Sequence, residues 1–407
     1  MDRRLLLRAG LAAAVGSTMG GAAWAVEPDR DVTFAGDFDE LWTTLRDRYC
    51  FFSEKRTDWD RVRTMYRPMA VQADSRDGFA AVVGQVMAEL YDPHTSPADA
   101  PAGAQRGAIS DIVVDEQNGR AQIKAILEDT AAAEADLRFG DLILAVDGQS
   151  LAPLIQTWTP KCLTSPDPTA TAFALGRAVA GVRGQPRRYL IARGGEAARE
   201  IFIPIRPATP KPNVEWRRLE DGAGYIIIRS FADDAVTESF DQALAELGDA
   251  PGLILDVRNN GGGDTAVARP IMGRFITETK PYALMRRREG QGLSGYWTET
   301  VDPRGPFTYT RPVVVLADHW SASMAEGFPM GMRGIGRATV VGTPMMGLGA
   351  AVFPIVLDRT GLRAQYSAEP VYDVNRQPRW LMQPDVAVPD GQDILAAGRR
   401  TLAGLIG

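Results

Sequence analysis

Four short apolar runs, at residues 225–229, 253–257, 313–317 and 339–341, constrain this chain more than anything else in it. Runs so short and so rich in apolar residues suit strands, and 313–317, apolar throughout, suits a buried one. Between the first two, Val236, Phe240, Ala243, Leu244 and Leu247 form a helical stripe. Strand, helix, strand implies parallel neighbours joined by right-handed crossovers. The second half of the chain is therefore expected to be an α/β layer structure.

The loops that follow these strands carry the chemistry. After 253–257 comes Arg258-Asn259-Asn260-Gly261-Gly262-Gly263-Asp264, where glycines let backbone N–H groups face an anion or an oxyanion. A phosphate loop would need G-K-[S/T], which is missing, and no lysine follows Lys280. After 313–317 comes D-H-W-S-A-S-M-A-E, with a helix expected from near Ser323. A serine at such a junction either caps the helix or offers its hydroxyl beside unpaired N–H groups. Ser321 and Ser323 are both candidates for either part.

The first 25 residues read as an export signal of twin-arginine type rather than as fold. Arg3, Arg4, Leu5-Leu6-Leu7 and Arg8 precede an Ala/Gly-rich run and an A-x-A cleavage site ending at Ala25. No later stretch reaches the ~18 uncharged apolar residues of a membrane span. A mature protein of the periplasm or extracellular space is expected. A helical unit over 32–97 follows, with apolar stripes at Phe38, Leu41, Trp42, Leu45 and Tyr49, at Trp59, Val62 and Tyr66, and from Phe79 to Leu90. Asp37-x-x-Glu40, Thr57 and Ser75 are the expected caps. The third helix breaks at Asp92-Pro93-His94-Thr95. The chain has two histidines, so a histidine base is His94 or His319.

Residues 98–106 read as a linker, and 106–206 as a small β domain. Its A-D-L-R-F-G-D-L-I-L-A-V-D-G-Q-S stretch resembles the heart of a PDZ domain, which implies strand addition of a peptide to an open sheet edge. Asp136 stands where that family usually has Gly, and Gly107-Ala108-Ile109 is a poor carboxylate-binding loop. Residues 152–172, with four prolines, read as a long insertion, and 276–311, with Arg286-Arg287-Arg288 and Trp297, as a polar one. Cys50 and Cys162 are either paired or two buried thiols. A formal charge of −6 and a pI near 5.3 argue against nucleic acid as a partner.

The whole order resembles the S41 family of serine peptidases, the C-terminal-processing and tricorn-like enzymes. D-P-H-T, the PDZ-like unit, Y-I-I-I-R-S-F, L-D-V-R-N-N-G-G-G-D, S-A-S-M-A-E, V-V-G-T-P and Q-P-D-V-A-V-P fall in that family's sequence. The resemblance implies an α/β multidomain protein whose 214–400 core has parallel strands and crossover helices of the ClpP/crotonase kind. It implies peptide-bond hydrolysis of protein or peptide substrates through Ser323, with Gly261 or Gly262 and Met324 as the oxyanion hole, and no metal or cofactor. The C-terminal-processing branch takes its base from a lysine and a glutamine at positions that here hold Leu348 and Val352. Neither accepts a proton, so the chain fits the tricorn-like branch, whose histidine corresponds to His94; His319 is the competitor. Gln377-Pro378-Arg379-Trp380-Leu381-Met382 lacks the acidic residue that branch carries there. Glu326, Thr95, Glu369 and Asp373 are the substitutes on offer as a supporting group. The alternative reading is a degenerate member of the fold that binds or scaffolds peptides or apolar ligands.

Overall fold

The computed structural model describes residues 30–407 except 102, 118 and 208, so the export segment expected over residues 1–25 lies outside the described residues. The first unit holds α1 (Arg30–Arg48), α2 (Trp59–Val71), α3 (Arg76–Ala88) and the two-residue strand β1 (Ser96–Pro97). Phe38, Leu41 and Leu45 are fully buried along one face of α1 and Tyr49 just past its end, and Val62, Tyr66, Phe79 and Val86 join the same core. Ser75 caps α3 by accepting from Gly78 N–H at 3.1 Å. The cap of α2 is Asp58, not Thr57, whose hydroxyl donates to the Glu89 carbonyl instead.

The expected capping pair of α1 is also corrected. The helix is already formed at Arg30, the first described residue, which leaves Asp37 and Glu40 in its interior. Their carboxylates satisfy a distant turn: Asp37 accepts from the N–H groups of Arg359 (3.0 Å) and Thr360 (2.8 Å), and Glu40 from that of Asp358 (3.0 Å). A turn leaves N–H groups unpaired as a helix start does, so the same side chains serve either.

The second unit contains β2 (Ile112–Gln117), β3 (Arg120–Ile126), α4 (Ala131–Glu134), β4 (Leu142–Val146), β5 (Gln149–Ser150), α5 (Leu151–Trp158), α6 (Pro168–Ala180), β6 (Arg187–Ala192) and β7 (Arg199–Ile203). Its antiparallel strands run in the order β2-β3-β4-β6-β7, with β5 added to β4. The supposed insertion at 152–172 is mostly α5 and the start of α6. Pro168 sits at the first turn of α6 behind the Asp167 cap, where a missing N–H costs nothing.

The third unit runs β8 (Val214–Arg218), β9 (Gly224–Ile228), α7 (Ala235–Leu247), β10 (Leu253–Asp256), α8 (Thr265–Met272), β11 (Lys280–Met285), β12 (Arg288–Glu289), β13 (Gly292–Leu293) and β14 (Trp297–Val301). It continues with β15 (Val313–Ala317), α9 (Met324–Gly334), β16 (Thr339–Gly342), β17 (Ala350–Val356), β18 (Arg363–Tyr372), β19 (Val386–Ala387) and α10 (Ile394–Ile406). Its main sheet has the order β19-β16-β15-β10-β9-β8, parallel except for β8. All five residues of β15 are buried, as a strand covered on both faces requires. Burying its valines alone contributes roughly 1.5–3 kcal/mol each.

A second sheet, β1-β18-β11-β14 with β17 on β18, corrects the reading of 276–311 as a polar insertion. Half of β14 faces solvent, which hid its alternation among charged neighbours. Through β1 on β18 this sheet receives the first unit, and Ile355, Leu357, Leu362, Ala364 and Tyr366 complete that unit's core. Cys50 and Cys162 are separate buried thiols.

Candidate active site

The turn between β15 and α9 separates the two serines. Ser321 is fully buried; its hydroxyl donates to the Val257 carbonyl (2.8 Å) and accepts from Asp318 N–H (2.9 Å), tying β15's end to that of β10. Ser323 occupies the N-cap position of α9 but makes no side-chain cap bond. Its backbone lies at φ +53°, ψ −113°, a conformation that costs a non-glycine residue about 1–3 kcal/mol. A strained serine that caps nothing and keeps its hydroxyl uncommitted is positioned for something other than helix stability.

The glycine loop closes on it. A Cβ at Gly262 would lie 2.8 Å from Ser323 Cβ, 2.9 Å from Met324 N and 2.7 Å from the Ala322 carbonyl oxygen, and Gly262 has φ +98°. Only glycine lets the two loops meet there. Asn260, fully buried, staples the arrangement. Its side chain donates to Ile228 O (2.8 Å) and accepts from Gly262 N–H (2.8 Å), while its carbonyl accepts from Ala322 N–H (2.9 Å). Of the expected oxyanion donors, Gly262 N–H is thus already engaged, whereas Met324 N–H heads α9 and has no intrahelical acceptor. Gly261 is exposed, with open space around its Cα.

His94 lies on the corner after α3, 7% exposed. Asp92 builds that corner: its carboxylate accepts from His94 N–H (3.0 Å), the Thr95 hydroxyl (2.8 Å) and the Ser367 hydroxyl (2.7 Å). Thr95 in turn accepts from Ser367 N–H, and Gln365 holds the His94 carbonyl. The imidazole itself is left free, its buried Nδ1 without a hydrogen-bond partner. Burial lowers its pKa to about 4, with Asp92 opposing the shift and Arg379 adding to it. The ring is therefore neutral at pH 7 and able to accept a proton. Among the described residues no hydrogen bond joins His94 to Ser323. His319 is differently placed: Nε2 lies 2.8 Å from Asp390 Oδ1, on a carboxylate that also meets Lys124 of the second unit at 3.5 Å.

Three of the four expected supporting groups, Thr95, Asp373 and Glu326, bond elsewhere than the His94 ring. Thr95 serves Asp92 and Ser367, Asp373 accepts from the N–H groups of Asn375 and Gln377, and Glu369 sits half-buried on β18. Glu326 is fully buried on α9. Its Oε1 accepts from Gly347 N–H (2.5 Å) and Leu348 N–H (2.9 Å), and its Oε2 faces Arg379 Nε at 3.7 Å. Burial pushes its pKa up to about 7 against the pull of Arg379, and the same burial lowers that of Arg379. Leu348 is buried as well, so an apolar side chain fills the position expected to lack a base.

Sequence reasoning passed over three residues: Asn260, Asp92 and Arg379. Asn260 and Asp92 had a local signal, an Asx residue two positions before the N–H that it binds. Arg379 had none, since its partners lie between 326 and 350. A cleft of about 640 Å³ runs beside the corner, walled by Tyr91, Ile109, Phe173, Trp320, Met346 and Trp380. It lies between all three units and is predominantly apolar.

Residues 222–388 match peptidase family S41, and residues 31–88 match the tricorn protease C1 domain. The carboxy-terminal processing protease CtpB of Bacillus subtilis is 27% identical over 241 residues, which are 57% of this chain and 45% of that protein. The carboxyl-terminal-processing protease of Synechocystis is 24% identical over 323 residues, 76% of this chain and 70% of its own length. Among solved structures, mature CPAF complexed with lactacystin shares the fold with a TM-score of 0.61 at 16% identity, covering 92% of this chain and 98% of that one.

Proposed function

The chain belongs to peptidase family S41, a serine-type peptidase family, and we propose that it is an exported enzyme cutting protein or peptide substrates through Ser323 with His94 as base. The observation that carries this is Ser323 itself, strained, uncommitted and pressed against Gly262 and the free Met324 N–H. In the reaction, Ser323 Oγ attacks the scissile carbonyl carbon as its proton passes to the neutral His94. The negative charge that develops on the carbonyl oxygen faces Met324 N–H and the glycine loop. The C–N bond then breaks, His94 returns the proton to the leaving amine, and a water molecule releases the acyl group by the same route.

In this reading His94 and Ser323, which share no hydrogen bond among the described residues, close up when a substrate arrives, as catalytic hydrogen bonds often do. The second unit is taken as PDZ-like, with α6 packed along β2, and the main sheet as ClpP/crotonase-like. The reading of residues 1–25 as an export signal goes with a mature chain in the periplasm or outside the cell. A fluorophosphonate probe tests the reading. It should label the wild type, and Ser323→Ala should abolish labelling while His94→Gln cuts it by roughly 10²–10⁴-fold. Labelling that survives Ser323→Ala overturns the nucleophile assignment. A chain that never labels is a binding protein on a peptidase fold.

A further inference from the structure

Arg379 is a buried cation, 7% exposed, that packs against α9 beyond Ser323. Its Nη2 donates to the carbonyls of Leu348 (2.5 Å) and Ala350 (3.3 Å). From the other side, Glu326 accepts from the N–H groups of Gly347 and Leu348. The peptide segment at Leu348 is therefore gripped through both its N–H and its C=O by opposite charges that also face each other. Arg379 also lies against the first turn of α9, with Nη1 at 3.3 Å from where a Cβ on Gly327 would be. Trp380, next in sequence, fills the space over Gly349, where any Cβ would fall 2.3 Å from its ring.

The segment so held is not incidental. Met345, Met346, Gly347 and Gly349 line the cleft, opposite Ile109 and Phe173 of the second unit. Met346 N–H also donates to the Ser321 carbonyl at 3.2 Å, so the segment is registered on the serine turn. Val371 N–H likewise donates to Gly349 O at 2.9 Å, so backbone bonds hold both ends of the segment, while at Leu348 itself the buried pair supplies both the acceptor and the donor.

We infer that Arg379 is a positioning residue: with Glu326 it clamps the backbone at Leu348 and so fixes segment 345–349 as the cleft wall on which a peptide substrate is laid. The inference rests on the reading of Ser323 as the nucleophile. It separates two tasks at one site. Ser323, His94 and Met324 serve the bond that breaks, while Arg379 serves the alignment of the chain around it. Small displacements of a substrate wall lower turnover of extended substrates far more than reaction with a compact electrophile.

The test compares casein hydrolysis with fluorophosphonate labelling in Arg379→Met and Arg379→Lys. Arg379→Met should lower casein kcat/KM about 100-fold and the labelling rate less than about 5-fold. Arg379→Lys, which keeps the charge but reaches one carbonyl, should recover about a tenth of the wild-type casein rate. Parallel losses in both assays, or no loss in either, overturn the inference. Should Arg379→Met not fold, the same ratio in Arg379→Lys decides, together with hydrogen exchange at 345–349. Faster exchange there, with the melting temperature within about 2 °C of wild type, supports the clamp, and unchanged protection refutes it. Wild type and Ser323→Ala in the labelling assay report on the nucleophile separately, so failure of one reading is not mistaken for failure of the other.

Discussion

The serine turn and the histidine corner hold their reactive side chains by opposite means. The turn is made locally: Ser321 bonds within its own loop and to β10's end, and Gly262 presses on Ser323 from the neighbouring crossover loop. Its stored cost is a backbone torsion. The corner is made at long range, since the Asp92 carboxylate needs Ser367 and the His94 carbonyl needs Gln365, more than 270 residues later. Its stored cost is desolvation of an imidazole. A torsion fixes the place of Ser323 through the backbone, whereas the buried Nδ1 of His94 has no hydrogen-bond partner to fix its ring.

The contrast can be broken most severely at the glycine loop. Gly262→Ala should cut casein hydrolysis at least about 100-fold and cost roughly 2–3 kcal/mol in urea unfolding, because its Cβ would strike Ser323 and its φ suits only glycine. Gly261→Ala, with nothing within 4 Å of its Cβ, should change activity less than about 3-fold. Equal effects at the two glycines would remove the loop from the serine's support.

The corner is sharpened by pH. An ordinary histidine titrates near ~6.5, and the folded value here is depressed to about 4. The folded chain then binds fewer protons than the unfolded one between these values. The neutral ring's contribution is complete above about pH 6.5 and is lost as pH falls through 4, on the order of 3 kcal/mol in all. Urea unfolding at pH 7 and pH 4 should show this slope in wild type and a flatter one in His94→Gln. The acid limb of casein hydrolysis should lie near pH 4 rather than 6.5. A limb at 6.5 would mean that the ring is solvated when it works.

The smallest effects distinguish the serines. Ser321→Ala should cost about 1–3 kcal/mol by stranding a buried carbonyl and N–H, while keeping most of the labelling. Ser323→Gly should abolish labelling and raise stability by about 1 kcal/mol, since glycine accepts the positive φ without strain. A destabilised Ser323→Gly would make that serine a structural residue after all.

The same difference decides what could be read from the sequence. The strands of the main sheet, the helix after Ser323 and the glycine loop are written in local patterns, and each stands within a residue or two of its expected place. The split between Ser321 and Ser323 came from the family resemblance alone, because the local pattern does not say which hydroxyl meets Val257. Not legible was the work of Asp37 and Glu40, whose spacing matches a capping box but whose acceptor bonds go to a turn some 320 residues away. Residues 276–311 misled for a related reason: the half-exposed edge strand β14 shows one apolar face among charges, and β18, which pairs with its neighbour β11 on the other side, lies far downstream. Arg379 carries no pattern at all, since a lone arginine in a polar segment gives no sign that α9 will bury it.

The fastening of α1 and the His94 corner to β18 and its turn also has a consequence for the time order of synthesis. The ribosome adds roughly 5–20 residues per second, so on the order of 15–50 s separate the emergence of Asp92 from that of Ser367. Throughout that interval the histidine corner lacks its partner hydroxyl and the helical unit lacks the apolar strand that closes its core. Ser323 itself is made only about 44 residues before that partner. The nascent chain thus lacks the assembled site proposed for hydrolysis until it is almost finished, and a truncation that removes β18 frees the His94 corner as well as unfolding the sheet.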